Sequence, residues 1–339
     1  MGRHRSPNGD RMPREKISIA MATCEGSAFV GQQLQSIADQ TQHPDELVIF
    51  DDASTDGTVR EIQAFAQGAP FPVRLESAQD RIGATANFER AILRCQGSLI
   101  FLADQDDFWA AHKVETLTAA FEDHPEIGLA FSNGAIVDEN LAPTGDDLWE
   151  ALFFSSADQD RVRAGEAPAI FARRVVAAGT TLAFRADFRD VLFPFPDLPS
   201  VHDAWIAFII ACLAPCAVVD MPLIQYRLHA RNHIGIRRRG LIDQWRQARS
   251  QVARNAFREE LAFFDLALKR LQEHPPGLSD ESPVRTLIEE KQTHALNRSV
   301  MPKSFWRRLP SVVREWSSGR YDRYGYGWKS AAQDLWLRG

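Results

Sequence analysis

The sequence predicts an α/β fold with a mostly parallel sheet, helices on both of its faces and a helical extension at the C-terminal end. Short apolar runs alternate with amphipathic segments of helical length from Lys16 onwards. Acidic residues directly follow several of these runs, and beyond about Arg237 the pattern changes to long, charged helical segments. Strands that are separated by helices in this way are typical of parallel sheets covered on both sides.

The elements of the first half follow in a regular order. The apolar run ISIAMAT predicts a first strand, and FVGQQLQSIADQT has the periodicity of a helix. ELVIFDD and VREIQAFAQ predict the second strand and helix, with the turn residues STDGT between them. VRLES, ATANFERAILRC, SLIFLAD and VETLTAAFEDH continue the alternation, and IGLAFSNGAIVD predicts a further strand.

The second half divides into three parts. Residues 140–174 lack a regular period, and we expect an irregular loop region there. GTTLAFR, HDAWIAFIIACLA and CAVVDMPLIQYRLH predict a strand, a helix and a strand. We therefore expect a flexible leader at residues 1–15, a catalytic domain at 16–236 and a helical extension at 237–339.

Composition excludes several classes of protein. The 339 residues are 45% hydrophobic and 25% charged, which is typical of globular proteins, and the formal net charge of −6 argues against nucleic acid as the main partner. Four cysteines lie among apolar or small residues, which indicates reduced thiols and a cytoplasmic location. The N-terminus lacks the apolar core of a secretory signal, and AWIAFIIACLAPCAVV is too short to span a bilayer.

An acidic cluster follows the fourth predicted strand. Asp104, Asp106 and Asp107 come at the end of SLIFLADQDD, at the edge of the sheet where ligands of such folds bind. Carboxylates are preferred ligands of Mg²⁺ and Mn²⁺, which complete their coordination with water and phosphate oxygens. The cluster therefore predicts a metal that carries a diphosphate. The structural alternative is a solvated turn in which Asp107 caps the following helix.

Two further acids, Asp51 and Asp52, end the second predicted strand. Capping by Ser54 or Thr55 of a helix that begins near Thr58 explains the second half of VIFDDASTDGT, but it does not explain the two acids. A carboxylate in this place can accept hydrogen bonds from a nucleobase imide or from ribose hydroxyls. A nucleoside pocket is therefore favoured over capping alone.

Together these motifs resemble family 2 glycosyltransferases of the GT-A fold. The resemblance rests on ISIAMATCEGSAFVGQQLQSIADQT, ELVIFDDASTDGT, NFERAIL, GSLIFLADQDDFW, GTTLAFR, HDAW and YRLHARNHIG, in that order, and covers roughly residues 16–235. DQDDxW and YRxHxxN are similar to motifs of bacterial rhamnosyltransferase-like enzymes of polysaccharide assembly. The resemblance implies a Rossmann-like, mostly parallel sheet and a metal-dependent, inverting hexosyltransferase.

The resemblance also implies which residues surround the donor. It places Arg81 against the base, Asn87 near the nucleotide, and Arg227 near the diphosphate. The full set of residues that it assigns to the nucleotide sugar is Thr23, Asp51, Asp52, Arg81, Asn87, Asp104 and Arg227. The implied donor is a dTDP- or UDP-sugar, with rhamnose as one candidate sugar.

A metal site and a catalytic base follow from the same resemblance. Asp106 corresponds to the direct ligand of Mn²⁺ or Mg²⁺, and Asp104 faces the ribose or the metal. His229 is implied as a metal or phosphate contact, with a purely structural histidine as the alternative. Asp203 matches the catalytic base, although His202 stands where the family usually has a first acidic residue.

Rival classes of protein fit the sequence less well. A phosphatase of the haloacid dehalogenase type also uses DxD after a strand, but it requires Thr or Val where Phe108 stands. A nucleotidyltransferase requires a glycine-rich, basic loop after the first strand, which MATCEGSAF lacks. A non-catalytic sugar-binding protein would have little reason to keep Asp203 alongside two acidic clusters.

The acceptor implied by the resemblance is a glycan or a lipid-linked sugar, and residues 140–174 are expected to face it. The tail has two possible roles. A basic, aromatic-rich segment near the C-terminus predicts peripheral contact with the inner face of the cytoplasmic membrane. The alternative is packing against the catalytic domain or against a second subunit of a homo-oligomer. The residues concerned are Trp306, Arg307, Arg308, Val312, Val313 and Trp316.

Overall fold

A nine-stranded sheet forms the centre of the protein, whose computed structural model describes residues 14–198, 202–229 and 256–337. The strands run in the spatial order β3-β2-β1-β4-β8-β6-β9-β5, and β7 pairs with β6. Their bounds are β1 (Ile17–Thr23), β2 (Glu46–Asp51), β3 (Val73–Ser77), β4 (Leu99–Asp104), β5 (Phe108–Trp109), β6 (Leu129–Val137), β7 (Pro143–Asp147), β8 (Leu182–Arg185) and β9 (Cys216–Arg227).

Helices surround this sheet and continue beyond it. They are α1 (Val30–Ala38), α2 (Thr58–Ala66), α3 (Ala84–Arg94), α4 (Lys113–Asp123), α5 (Leu148–Ala151), α6 (Ser156–Arg161), α7 (Ala167–Arg173), α8 (Arg189–Leu192), α9 (His202–Leu213), α10 (Ala256–Glu273), α11 (Pro283–Ser299), α12 (Phe305–Ser317), α13 (Arg320–Tyr324) and α14 (Trp328–Trp336). The predicted leader lies almost entirely outside the described residues, as does the start of the predicted extension.

The parallel half of the sheet brings distant acidic residues to one edge. β1 pairs in parallel with β2 on one side and with β4 on the other, and β3 pairs with β2. In this register Thr23 lies opposite Asp51, and Ala22 lies opposite Asp104. The carboxyl ends of the strands therefore meet, as the sequence predicts for a parallel sheet.

Both faces of this half are buried, because side chains alternate along each strand. Ile19, Ile49 and Phe101 pack in one cluster with residues of α1, α2 and α4. Residues on the other face of the same strands, such as Val48 and Leu102, pack with α3 and α9 in a second cluster. The near-continuous apolar runs of the sequence reflect this double burial.

The second half of the sheet is partly antiparallel. β8 runs antiparallel to both β4 and β6, whereas β6 and β9 are parallel to each other. The predicted strand GTTLAFR is shorter than expected, because Gly179–Thr181 form a 3₁₀ turn before β8. The mostly parallel α/β sheet is confirmed.

The prediction of an irregular region at residues 140–174 is wrong. This segment contains β7, α5, α6, a π-helical turn at Val162–Glu166, and α7. Ser155 and Asp158 form a capping box at the start of α6, and Gly165 interrupts the helices with a φ of 90°. The helices are too short, and too often interrupted, to give the sequence a readable period.

The C-terminal helices pack onto the catalytic part through α9. Phe263 and Phe264 of α10 meet Phe208 at ring-centroid distances of 5.9 and 5.2 Å, and Phe263 meets Trp205 at 5.5 Å. Arg173 of α7 also donates a 2.7 Å hydrogen bond to the carbonyl of Gly325. Within the described ranges, no helix combines the length and apolar character that a membrane span requires.

Candidate active site

The ends of β1 and β2 are joined by a buried carboxylate. Thr23 Oγ1 donates a 2.8 Å hydrogen bond to Asp51 Oδ2. Ser54 donates two more hydrogen bonds to this carboxylate, from its backbone N–H to Oδ1 at 2.8 Å and from its hydroxyl to Oδ2 at 2.6 Å. Ser54 thus holds this acid and does not cap α2, since α2 has no side-chain cap at Gly57. Asp51 is fully buried, and its negative charge is satisfied by three protein donors.

Asp52 and Asn87 extend the same arrangement. The backbone N–H groups of Ile82 and Gly83 donate to the two carboxylate oxygens of Asp52 at 2.6 and 3.0 Å. Asn87 is buried in α3 and donates from Nδ2 to the carbonyl of Phe50 at 2.8 Å. We call Thr23, Asp51, Asp52 and Asn87 the β1–β2 edge. Its donors and acceptors are already organised before any ligand arrives.

Arg81 lies at the rim of this edge. Its guanidinium donates to Glu25 Oε1 at 2.6 Å, and its side chain is 58% exposed. Thr55 donates its N–H and its hydroxyl to the same carboxylate oxygen, each at 3.0 Å, and these bonds lower the pKa of Glu25. Thr55 therefore binds Glu25 and does not cap α2. The predicted contact of Arg81 with a base stays a prediction, and it requires Arg81 to leave Glu25 or to share it.

The middle residue of DQD connects the end of β4 to the loop after β1. Gln105 accepts from the backbone N–H of Cys24 through Oε1 at 2.8 Å and donates from Nε2 to the carbonyl of Cys24 at 2.9 Å. A Cβ atom at Gly26 would lie 2.1 Å from Gln105 Oε1, so glycine is needed there for this close approach. The two strand ends are thereby held in a fixed relation.

The acidic cluster of Asp104, Asp106 and Asp107 lies at the end of β4. Burial, followed by repulsion from Asp106 and Asp203, raises the pKa of Asp104 to about 7. Burial also raises the pKa of Asp107 well above its ordinary value, with Asp106 and Asp104 adding to the effect. Asp107 does not cap α4, because its Oδ1 accepts the backbone N–H of Arg227 at 3.2 Å. The negative charges of this cluster are not fully offset by protein groups.

His229 joins the acidic cluster from the segment just after β9. His229 Nε2 lies 2.8 Å from Asp106 Oδ2, and the imidazole is almost fully buried. Arg227 donates from Nε to the backbone carbonyl of Asp106 at 2.8 Å and from Nη2 to Gln32 Oε1 at 2.6 Å. Arg227 is 1% exposed, so in this structure it fixes the backbone of the cluster. Its predicted contact with the diphosphate stays a prediction.

Lys113 is a neighbour of the cluster that belongs to the motif DQDDFW…K but for which the sequence predicted no role. It is fully buried in the first turn of α4, lies 3.7 Å above the ring of Trp109 and donates to the carbonyl of Thr180. Burial lowers the pKa of Lys113 to about 7, against the attraction of Asp107 and Asp104. From the sequence, a lysine four residues after a tryptophan looks like an ordinary surface residue at the start of an amphipathic helix, so its burial is visible only in the folded chain.

Asp203 lies in the first turn of α9, next to His202. Its charge contributes to the raised pKa of Asp104, which places it beside the acidic cluster. The ring of His202 stacks on Phe88 with centroids 4.4 Å apart, and its Nδ1 is buried without a partner among the described residues. The structure therefore brings together Asp104, Asp106, Asp203 and His229, which the sequence predicted as the metal site and the base.

The donor chemistry of this place fits a divalent cation. Carboxylates and an imidazole are ligands of Mn²⁺ and Mg²⁺, and the pKa values of Asp104 and Asp107 are raised although Lys113 lies beside them. No set of three or more His, Cys, Asp and Glu side chains in the described ranges is arranged to hold a metal by itself. Asp104, Asp106 and His229 could therefore supply part of a coordination shell that a diphosphate would complete.

Comparison with known sequences agrees with this arrangement. Residues 18–173 match the family model of glycosyl transferase family 2. An uncharacterised protein of Mycobacterium tuberculosis is 30% identical over 128 residues, which is 37% of this chain and 37% of that protein. The putative teichuronic acid biosynthesis glycosyltransferase TuaG of Bacillus subtilis is 27% identical over 29% of this chain and 39% of its own length. The dTDP-rhamnosyl transferase RfbG of Shigella flexneri is 31% identical over 28% of this chain and 34% of its own length.

Solved structures show the same fold over nearly the whole chain. Staphylococcus aureus TarS 1-349 in complex with UDP-GlcNAc has a TM-score of 0.55 and 17% identity, covering 95% of this chain and 89% of that one. The mannosyltransferase PcManGT of Pyrobaculum calidifontis, in complex with GDP-Man and Mn²⁺, has a TM-score of 0.53 and 18% identity, covering 96% of this chain and 85% of that one. These identities establish likeness of fold.

Proposed function

The chain carries a family 2 glycosyltransferase domain of the GT-A fold, and from this premise we propose an inverting, metal-dependent sugar transfer in bacterial polysaccharide biosynthesis. The sugar moves from a nucleoside diphosphate to a hydroxyl group of a glycan or a lipid-linked acceptor. One observation carries the proposal. Asp104 ends β4 beside the ends of β1 and β2, where Thr23 lies opposite Asp51, and His229 Nε2 lies 2.8 Å from Asp106 Oδ2 in the same acidic cluster.

The β1–β2 edge is proposed to hold the nucleoside. Asp51 and Asp52 are fixed by protein donors, so their positions do not have to change when a base or a ribose approaches. Asn87 leaves its buried Oδ1 without a partner among the described residues, which offers an acceptor at this edge. Arg81 is the exposed cation that can turn from Glu25 towards the base.

Asp104, Asp106 and His229 are proposed to hold Mn²⁺ or Mg²⁺. A bound cation of this kind stabilises the negative charge of a departing nucleoside diphosphate. Arg227 and Gln105 position the residues of the cluster, since they bind the backbone at Asp106 and at Cys24. Asp104 is proposed to lie between the nucleoside and the metal, where it can contact either the ribose or the cation.

Asp203 is proposed to act as the general base. It accepts the proton of the acceptor hydroxyl while the hydroxyl oxygen forms a bond to the anomeric carbon of the donor sugar. The bond between that carbon and the diphosphate oxygen breaks in the same step, and the electron pair leaves with the diphosphate. Attack from the face opposite the leaving group inverts the configuration, and a single base is sufficient for this course.

The proposed classes of donor and acceptor rest on the relatives. RfbG is a dTDP-rhamnosyl transferase, and TarS binds UDP-GlcNAc, which supports a dTDP- or UDP-sugar donor, with rhamnose as one candidate. TuaG is named for teichuronic acid biosynthesis, which supports a polysaccharide product. The four cysteines are unpaired, which supports a cytoplasmic location. A homo-oligomer is proposed as the alternative use of the C-terminal surface.

A panel of nucleotide sugars tests the proposal. Purified protein is incubated with UDP-, dTDP- and GDP-sugars, with Mn²⁺ or with a chelator, and the released nucleotide is identified. We expect slow release of a nucleoside diphosphate from one class of donor, only with the metal. Release of a nucleoside monophosphate or of inorganic phosphate would instead assign the site to nucleotidyl transfer or to a phosphatase. Binding of a sugar nucleotide without turnover, even with candidate acceptors, would favour a non-catalytic protein.

A further inference from the structure

Two helices at the end of the described chain leave an apolar groove uncovered. The groove has a volume of about 320 Å³ and lies between α12 and α14. Leu309, Val313 and Trp316 line it from α12, and Trp328, Leu335 and Trp336 line it from α14. We call these residues the tryptophan groove.

The tryptophans of this region are unusually exposed. Trp316, Trp328 and Trp336 are 48%, 66% and 70% exposed, and neighbouring Trp306 is 78% exposed. Phe305 connects Trp306 to the groove, because its ring lies 5.2 Å from that of Trp306 and 5.3 Å from that of Trp336. Contiguous exposed apolar surface of this kind marks a binding surface.

The geometry of α12 separates this surface from the interior. Trp306, Leu309, Val313 and Trp316 follow at intervals of three or four residues, so they form one stripe along the helix. Arg308 is buried on the other side, where it donates to the carbonyls of Pro302 and Leu335. Of the sequence-predicted membrane segment, Arg308 therefore faces inwards, and Val312 lines the groove but is buried.

Positive charge flanks the stripe. Arg307 and Arg314 are exposed and lie two turns apart on the same side of α12, and exposed Lys329 follows Trp328. Within residues 301–337, Asp322 is the one acidic side chain of the exposed class. Glu315 is buried and bonded to His294 at 2.8 Å, so it does not oppose the charge of this surface.

We propose that the tryptophan groove, together with Trp306 and the basic flank of Arg307, Arg314 and Lys329, docks onto an anionic phospholipid bilayer. Tryptophan rings with one apolar and one polar end suit the interface between lipid and water. Basic residues beside an apolar stripe suit a negatively charged surface. The opposite side of the extension already packs on the catalytic part through α10, which leaves this side for a partner. The proposal goes beyond sugar transfer and does not depend on it.

Vesicle co-sedimentation of the full chain tests the proposal. Vesicles of phosphatidylcholine with increasing phosphatidylglycerol should bind increasing amounts of protein, and added salt should reduce the binding. The charge-reversal pair Arg307→Glu and Arg314→Glu should weaken partitioning by at least about tenfold. The matched control pair Arg60→Glu and Lys269→Glu makes the same change of charge at other exposed positions and should bind like the wild type.

A second measurement distinguishes insertion of the tryptophan side chains into the bilayer from electrostatic attraction of the protein to its surface. Vesicles that contain brominated acyl chains should quench tryptophan fluorescence. The double variant Trp316→Ala and Trp336→Ala should lose part of this quenching, since Trp306 and Trp328 remain, and should keep its melting temperature. Absence of binding to phosphatidylglycerol vesicles at low salt would overturn the proposal. A dimer seen by light scattering, which binds no vesicles and dissociates in the double tryptophan variant, would also overturn it and assign the surface to a second copy of the chain.

Discussion

The β1–β2 edge and the acidic cluster lie side by side on one sheet, yet their carboxylates differ in how well the protein stabilises the negative charge. Asp51 and Asp52 receive hydrogen bonds to both of their carboxylate oxygens from Thr23, Ser54, and the backbone of residues 82–83. Asp104 and Asp107 lack comparable donors, and burial and mutual repulsion raise the pKa of both. The comparison teaches that the two carboxylates of the β1–β2 edge are satisfied by protein donors without a ligand, whereas the acidic cluster is suited to receive positive charge.

The largest expected effect concerns the base beside the acidic cluster. Asp203→Asn keeps the shape of the side chain but cannot take up the acceptor proton, so the transfer rate should fall by about 10²–10⁴-fold. The affinity for the donor should stay nearly normal, because the β1–β2 edge and the proposed metal ligands are unchanged. Both quantities are to be measured on the same preparation, after a donor has been identified.

Asp190→Asn is the matched control for this variant, since Asp190 is an exposed acid in the first turn of α8. It should transfer sugar at the wild-type rate. Normal transfer by Asp203→Asn would remove its role as base, and a loss of donor affinity would make Asp203 part of the nucleotide site.

The second effect tests whether the β1–β2 edge is complete in the absence of a ligand. Asp51→Ala leaves the buried hydroxyl of Thr23 and the N–H of Ser54 without an acceptor, so the free energy of unfolding should fall by about 1–3 kcal/mol. Denaturant unfolding in the presence of a chelator measures it. An unchanged stability would show that this edge is not fixed by its own hydrogen bonds.

The third effect should have the opposite sign. The pKa of Asp104 is raised from 3.8 to about 7, so its ionised form opposes folding as the pH rises through this interval. The free energy of unfolding of Asp104→Ala should therefore equal that of the wild type, or exceed it by about 1 kcal/mol, at pH 8 with a chelator present. This variant is compared directly with Asp51→Ala, because both substitutions remove a carboxylate at the end of a parallel strand. Clear destabilisation would contradict the comparison.

The smallest effect concerns Asp56, which supports the loop behind the β1–β2 edge. Burial raises its pKa, but hydrogen bonds from Thr58 and Ser27 outweigh this and lower the pKa from 3.8 to about 2. Its contribution is therefore present above pH 4 and is lost as the pH falls towards 2. Asp56→Asn should cost about 1 kcal/mol at pH 7, since the group is exposed, and less at pH 3. Thermal unfolding at the two pH values measures the difference.

The same two regions show how far the sequence could predict the structure. The parallel strands β1 to β4 were predictable, because apolar runs buried on both faces alternate with amphipathic helices, and strand-end acids then meet at one edge. Antiparallel β8 was not readable as such, since a strand of four residues carries no information on its direction. The short helices of residues 140–174 are held by tertiary packing, and this packing leaves little period in the sequence.

Within the site, residue types were predictable but partners were not. The acids and His229 could be named because each belongs to a motif, whereas the burial of Lys113 and Arg227 depends on elements that are distant in sequence. Gln105 sits between two motif acids, yet its bonds to Cys24 became visible only in the folded chain. Trp328 and Trp336 lie outside the predicted membrane segment, and only the pairing of α12 with α14 brings them to its surface.

The most direct test of the account is a calorimetric titration with the nucleoside diphosphate of the active donor. Wild-type protein and Asp106→Ala are each titrated with and without Mn²⁺, and the corresponding nucleoside without phosphates serves as a control for the β1–β2 edge. We predict tight binding of the diphosphate by the wild type only with Mn²⁺, loss of this gain in Asp106→Ala, and the same weak affinity of both proteins for the nucleoside. Equal affinity with and without metal, unchanged in Asp106→Ala, would contradict the claim that the acidic cluster receives a cation together with the donor diphosphate.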